Sequence, residues 1–248
     1  MTKIVAYVAL HYGRDYLDAA IRSVIDHVDE LHVIYTAVGS HGHRTDMPCP
    51  ETRDELYEIA YTAARHKLMW HEGVWPYEGA QREAILDYAP DADIILVLDA
   101  DEVWADGLAE QAIAFARTAN IRRIRVPMLH LWRSFRRGFA HDPAYPHRVI
   151  VPHAPESDTT LPTYDDSQRI WHFGYAQRSE IVRYKLLTHG HRGEFRRDVD
   201  WFNDVFMTNR QHDCHPVGSD AWNCEAIDQR ALPLPLFDHP YRWLEMIP

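Results

Sequence analysis

Residues 93–104 read Asp93-Ile94-Ile95-Leu96-Val97-Leu98-Asp99-Ala100-Asp101-Glu102-Val103-Trp104. The apolar run is short and rich in Ile, Val and Leu, which predicts a fully buried strand. Its acidic end then emerges where open α/β sheets bind ligands. In an extended backbone residues i and i+2 point the same way, so Asp99 and Asp101 converge on one point while Ala100 takes little room beside them. Paired carboxylates of this kind suit a hard cation, Mn²⁺ or Mg²⁺, that carries a substrate's phosphates. A pair of solvated loop acids is the plainer alternative.

On the N-terminal side of this stretch the chain alternates strands and helices. Ile4 to Leu10 is a compact apolar strand, Asp15 is a candidate N-cap, and Leu17, Ala20, Ile21, Val24, Ile25 and Val28 recur at helical spacing. Leu31 to Ala37 reads as the second strand, followed by the loop Gly39 to Arg44 and by Pro48 and Pro50. Thr52 and Glu55 form a capping-box signature for the next helix, Lys67 to His71 reads as a third strand, and Glu78 to Tyr88 as a helix stopped by Pro90. Beyond the acidic pair, Asp106 is expected to cap a helix through about Thr118 that leads into a strand from Ile121 to Leu131. Four βα units in this order predict an α/β fold with a mostly parallel sheet flanked by helices. From Phe135 the pattern is irregular until a helix from Ser179 to Leu187.

The chain has 248 residues, 46% of them hydrophobic and 25% charged, as in an ordinary globular protein. One domain over 1–248 is expected, with a ligand-binding half to residue 130 and a less regular half from 131. The net charge of −11 gives no general attraction to nucleic acid or anionic membrane. Three cysteines are too few for a disulfide scaffold. No leader is visible, and no run approaches the ~20 apolar residues that span a bilayer. A cytoplasmic protein is the expectation.

With Leu98-Asp99-Ala100-Asp101 after the fourth strand, the order of elements resembles the GT-A fold glycosyltransferases, especially those of family 2. Tyr12-Gly13-Arg14-Asp15-Tyr16-Leu17 with Ala19 to Val24 is similar to the family's first βα unit, and Gly79-Ala80-Gln81-Arg82-Glu83-Ala84 to the segment whose arginine lies beside the donor. The resemblance covers residues 3 to 130. It implies a GT-A type, Rossmann-like sheet and a nucleotide-diphosphate sugar donor, a UDP-sugar before others. The donor-binding set it implies is His11, Tyr12, Thr36, Arg82, Asp99, Ala100, Asp101 and Lys185. The implied metal set is Asp99, Asp101 and the late histidine His172, for Mn²⁺ or Mg²⁺. Two departures stand out: Tyr35 to Ser40 lacks the acidic residue that often ends the family's second strand, and Glu83 replaces the usual asparagine.

Several residues stay open between roles. Lys185, His189, His191 and Arg192 form either a basic lid over a diphosphate or an exposed helix end. Asp142, Asp200 and Asp204 are candidates for a catalytic base, and Glu102 for holding the acceptor or orienting the aspartates. His212, Cys214, His215 and Cys224 are soft zinc ligands at no standard spacing. Trp132 to Arg137 mixes aromatics and cations, which suits single-stranded nucleic acid, a sugar acceptor, or a strand end. The acceptor is left open, with a saccharide or a hydroxymethylated base in DNA as the readings. A sugar nucleotidyltransferase and a non-catalytic binding module are the alternatives to glycosyl transfer.

Overall fold

The computed structural model describes residues 2–39, 45–139, 145–163, 168–188, 192–195, 199–212, 214–216 and 223–248. Its strands are β1 (Ile4–Leu10), β2 (Glu30–Tyr35), β3 (Leu68–Glu72), β4 (Ile94–Leu98), β5 (Glu102–Trp104), β6 (Arg123–Arg125), β7 (Met128–Trp132), β8 (Arg137–Phe139), β9 (His147–Ile150), β10 (Asp158–Thr160), β11 (Ile170–Tyr175) and β12 (Glu225–Ala226). The α-helices are α1 (Arg14–Arg22), α2 (Arg53–Ala64), α3 (Glu78–Glu83), α4 (Ile85–Tyr88), α5 (Leu108–Ala119) and α6 (Ser179–Thr188).

A seven-stranded sheet runs β10-β6-β9-β4-β1-β2-β3. It is parallel from β4 to β3 and from β6 to β10, and β9 is antiparallel to both its neighbours. The two-residue periodicity of β1 explains how helices cover both faces. Ile4, Ala6, Val8 and Leu10 pack with Leu17 and Ile21 of α1, Leu56 and Ala60 of α2, and Leu108 and Ala112 of α5. Val5 and Tyr7 point the other way, onto Ile85 of α4 and the nearby Ala89. All five residues of β4 are buried, as a strand covered on both faces requires. This is the α/β, mostly parallel arrangement expected.

A second sheet, β12-β8-β7-β11-β5, joins the first at the acidic stretch. Glu102 to Trp104 leaves the parallel sheet and pairs antiparallel with β11, so Asp99-Ala100-Asp101 is a turn closed by the Glu102 amide donating to the Asp99 carbonyl at 3.0 Å. The two aspartates are therefore carried by a turn and not by an extended strand, which corrects the geometry expected for them. Val103, Leu129, Leu131, Trp171 and Phe173 form this sheet's own apolar layer, with Tyr16 and Ala19 of α1 against it.

The helix read from Glu78 to Tyr88 is two, α3 and α4, meeting at Ala84, and β8 to β11 occupy the stretch read as irregular; other boundaries differ for local reasons. The strand expected from Ile121 to Leu131 is two strands, β6 and β7, which enter different sheets on either side of Pro127. Helix α5 starts after Gly107 at φ +76°, while the Asp106 carboxylate accepts from the Leu234 amide at 3.1 Å instead of capping. Helix α1 starts after Gly13, and Asp15 lies in its first turn, paired with Arg178 at 2.9 Å. The capping box of Thr52 and Glu55 forms as read. Among the described residues no helix is long and apolar enough to cross a membrane.

Candidate active site

Where β1 and β4 end, a cleft of about 360 Å³ opens, lined from one half by His11, Tyr12, Gly13, Glu78, Arg82, Asp99, Ala100, Asp101 and Glu102, and from the other by Arg148, His172, Gln177 and Lys185. The chain approaches itself closely at its floor. Gly13 has φ +138°, and a Cβ there would stand 2.3 Å from the Cβ of Ala100, so only glycine lets the start of α1 meet the acidic turn. The amides of Gly13 and Arg14 donate to the buried Glu51 carboxylate at 2.6 and 2.8 Å, which closes the N-terminus of α1.

Asp99 and Asp101 both face this cleft but meet different partners. Asp99 lies between two guanidiniums: Oδ1 is 2.6 Å from Nη2 of Arg82, and Oδ2 accepts from Nη2 of Arg148 at 2.7 Å. Burial opposes its ionisation, but Arg82 and then Arg148 outweigh that and hold its carboxyl well below the usual range. The Arg82 contact has the distance of an ion pair without hydrogen-bond geometry. Asp99 Oδ1 and Arg82 Nη1 are both buried with no hydrogen-bond partner among the described residues. Arg82 is fixed from behind by Glu78, one helical turn earlier, at 2.7 Å.

Asp101 turns toward the second sheet. Its Oδ2 accepts from Nε2 of Gln177 at 2.9 Å and lies 3.5 Å from Nζ of Lys185, while Oδ1 lies 3.7 Å from Nε2 of His172. Burial raises its pKa, yet the charge of Lys185 brings it below the ordinary value. The other ring nitrogen of His172, Nδ1, is 2.7 Å from Nδ1 of His130. Burial pushes His172 down to about 3, so its ring is neutral at physiological pH.

The residues expected to contact a donor divide into two groups. His11 and Tyr12 line the cleft, and His11 is held in one tautomer: Nδ1–H donates to the Thr36 carbonyl at 2.8 Å, and Nε2 accepts from the Tyr184 hydroxyl at 2.9 Å. Thr36 itself is buried and does not line the cleft, so it acts by orienting His11. Ala100, Arg82, Asp101 and Lys185 are all at the cleft wall.

Arg148, His130, Gln177 and Gly13 were not anticipated. Arg148 sits on β9 and bridges Asp99 to Glu102, whose Oε2 accepts from Arg148 Nε at 2.6 Å. Glu102 is thereby a buried structural partner of this turn, and burial together with the Asp99 charge raises its pKa in spite of Arg148. The only sequence cue to Arg148 was a basic residue ahead of Val149-Ile150 after a proline.

Other candidates lie elsewhere. Asp200 caps a π-helical turn at Trp201–Phe206, accepting from the Asn203 amide at 3.3 Å, and Asp204 accepts from the Asp200 amide at 3.2 Å; neither lines the cleft. Asp142, His189, His191, Asp213 and residues 40–44 fall outside the described residues, as does the side chain of Arg192. Trp132, Arg133, Ser134 and Phe135 are buried, with Arg133 donating to the carbonyls of Phe206 and Ile247 at 2.6 and 2.9 Å. These four residues form an internal clasp, while Arg136 and Arg137 stay partly exposed.

The cleft suits a divalent cation in part. Among the described residues no three His, Cys, Asp or Glu side chains stand close enough to hold a metal by themselves, and this includes His212, Cys214, His215 and Cys224. Asp101 Oδ1 and His172 Nε2 nevertheless form a two-ligand edge of oxygen and imidazole nitrogen, the donor set that Mn²⁺ accepts when substrate phosphates fill the remaining positions. Asp99 lines the same cleft with its carboxylate engaged by Arg82 and Arg148.

No known family profile matches the chain, and no curated protein matches it by sequence. Partial likenesses occur among solved structures. A mycobacterial protein is 14% identical, with a TM-score of 0.38 over 54% of this chain and 42% of that one. Residues 1–349 of S. aureus TarS are 15% identical, with a TM-score of 0.38 over 52% and 36%. The 4-diphosphocytidyl-2C-methyl-D-erythritol synthase of Anaerococcus prevotii is 13% identical, with a TM-score of 0.36 over 61% and 65%. The chain thus spans less than half the length of the first two. Likeness this partial bears on neither family nor activity.

Proposed function

We propose that this chain is a glycosyltransferase that moves a sugar from a nucleotide-diphosphate donor to an acceptor hydroxyl, probing UDP-sugars first and using Mn²⁺ or Mg²⁺. One observation carries the reading: an acid–imidazole edge, Asp101 and His172, faces a cleft that also presents Arg82 and Lys185. A cation bound at that edge supplies neutralisation of the charge that grows on a departing diphosphate.

The chain's own side chains do the rest of the work in this reading. Acidic side chains (Glu78, Asp99, Asp101, Glu102) and basic ones (Arg82, Arg148, Lys185) alternate around the cleft, a mixed lining that suits a cation–diphosphate unit. Arg82, braced by Glu78 and Asp99, presents its guanidinium at the cleft wall as a charge-assisted partner for a phosphate. Lys185 offers a second cation from the opposite wall. His11, locked as the Nδ1–H tautomer, orients the end of the cleft nearest β2, where the nucleoside of such a donor would lie. The acceptor is a hydroxyl compound entering from the side built by residues 131–248.

The test is to incubate the protein with Mn²⁺ and a panel of nucleotide sugars and follow release of free nucleoside diphosphate, with and without acceptor mixtures. Release from one donor, abolished by Asp101→Asn, is the expected result. Absence of both hydrolysis and thermal stabilisation with every donor would overturn the proposal. A nucleotidyltransferase would instead release pyrophosphate from a nucleoside triphosphate and a sugar phosphate, which a parallel incubation with those two substrates distinguishes.

A further inference from the structure

His130 and His172 are register partners on the parallel strands β7 and β11. Their neighbours Leu129, Leu131, Trp171 and Phe173 turn to the opposite face, into the apolar layer, which leaves the two imidazoles together on the cleft side. The rings meet edge to face, 78° apart with centroids at 4.8 Å, and their Nδ1 atoms are 2.7 Å apart. Two unprotonated nitrogens would repel at that distance and two protonated ones would clash, so one proton lies between them. The question is which ring owns it.

The cleft side of His172 answers it. Its Nε2 is 3.7 Å from Asp101 Oδ1, too far for a hydrogen bond, and the ammonium of Lys185 converges on the same space beside Gly174. At 3.7 Å an N–H at Nε2 makes no hydrogen bond to the carboxylate, whereas a lone pair there is free to meet a cation. We propose that His130 is a positioning residue whose Nδ1 accepts from Nδ1–H of His172, which holds the His172 ring and aims its Nε2 lone pair at the point shared with Asp101, where a divalent cation is taken up. The inference rests on the cation edge of the proposed function. It adds the group that fixes the ligand's tautomer and prevents the ring from flipping, a role that ligating imidazoles commonly assign to their second nitrogen.

Two measurements test it. In a long-range ¹H–¹⁵N spectrum of the histidine rings of the wild-type protein without added metal, His172 should show a protonated Nδ1 and a bare Nε2, and His130 a bare Nδ1. The reverse assignment overturns the inference and leaves the glycosyltransferase reading standing. In the second, Mn²⁺ is titrated, alone and with uridine diphosphate, and unbound Mn²⁺ is read by electron paramagnetic resonance. His130→Leu should weaken Mn²⁺ binding about 10–100-fold, and His130→Asn, which keeps an acceptor in the same place, should stay within about threefold of wild type. Wild-type affinity in His130→Leu overturns the inference alone. No Mn²⁺ binding by the wild-type protein overturns the inference together with the cation part of the proposed function. The ring spectrum needs no variant, so a failure of His130→Leu to fold leaves that arm intact.

Discussion

Arg148 donates through Nη2 to Oδ2 of Asp99 at 2.7 Å, and through Nε to Glu102 at 2.6 Å, so that one guanidinium from an antiparallel strand ties down both ends of the acidic turn. The turn leaves the parallel sheet at Asp99 and enters the second sheet at Glu102. Arg148 therefore holds the two sheets to each other at the cleft. Only 9% of its side chain and 1% of that of Glu102 are exposed, which makes the pair a buried ion pair and not a surface one.

Removing one member of such a pair leaves a charge buried without its partner. Arg148→Leu is expected to destabilise the fold by about 3–5 kcal/mol, because Asp99 and Glu102 both lose their counter-charge. Arg148→Lys should cost less yet still perturb the turn, since a single ammonium does not reproduce the forked contact with two carboxylates. Urea unfolding of the three proteins at neutral pH checks both. Equal midpoints for Arg148→Leu and wild type would contradict the role assigned to this residue.

The two aspartates should separate in their response to metal. Asp101→Asn is expected to weaken Mn²⁺ binding and to lower kcat/KM by roughly 10²–10³-fold, the scale on which one transition-state charge contact acts. Asp99→Asn should lower activity as well, by releasing Arg82 and Arg148 from their fixed positions, while leaving the affinity for Mn²⁺ nearly unchanged. Activity measured across a Mn²⁺ titration distinguishes them. If Asp99→Asn shifts the Mn²⁺ requirement as much as Asp101→Asn does, Asp99 is a ligand and the division drawn between them fails.

The parts of this arrangement that were legible in the sequence are those set by local periodicity. The alternation in Ile4 to Leu10, the unbroken apolar run of β4 and the Thr52–Glu55 box each depend on neighbours within a few residues. Asp101 and His172 stood out as chemistry-bearing residues, but nothing local indicates that β11 carries His172 to within 3.7 Å of Asp101. Arg148, His130 and Gln177 were invisible for the same reason: each is an ordinary polar residue whose role comes from strand pairing across 40 or more positions. Gly13 and Gly107, both at positive φ, displaced the acids expected at the starts of α1 and α5. A short carboxylate side chain serves well as a cap, and here a glycine's backbone freedom took that position and left Asp15 and Asp106 for tertiary contacts.

Gly174 gives a test of how closely the cleft is packed around His172. A Cβ at this position would stand 2.7 Å from Cε1 and 2.8 Å from Nε2 of the His172 ring, and 3.2 Å from Nζ of Lys185. Gly174→Ala must therefore displace the imidazole, the ammonium, or both. Misplacement of a reacting group by about 1 Å costs on the order of 10²-fold in rate, so the variant should lose activity on that scale while unfolding close to wild type. Retained activity would mean that His172 is not held where catalysis needs it.

The neutral state of the half-buried His172 predicts how stability depends on pH. Its folded pKa, depressed by burial to about 3, lies below that of an unfolded histidine, so between the two values the unfolded chain binds the proton and the folded chain does not. Stability from this group is complete above about pH 6.5 and declines as the pH falls below it, by ~1.4 kcal/mol at pH 5.5. Burial lowers His11 and His239 as well, which act in the same direction, while the raised Glu102 acts in the opposite one and takes up its proton more readily when folded. These terms are common to the wild type and to His172→Gln, so their difference isolates the one ring. Denaturant unfolding at pH 7.5 and 5.5 should show the wild type losing about 1 kcal/mol more than His172→Gln across that interval. Identical losses in the two proteins would mean that His172 titrates normally in the folded state, and that the ring is not enclosed as its contacts with His130 and Asp101 require.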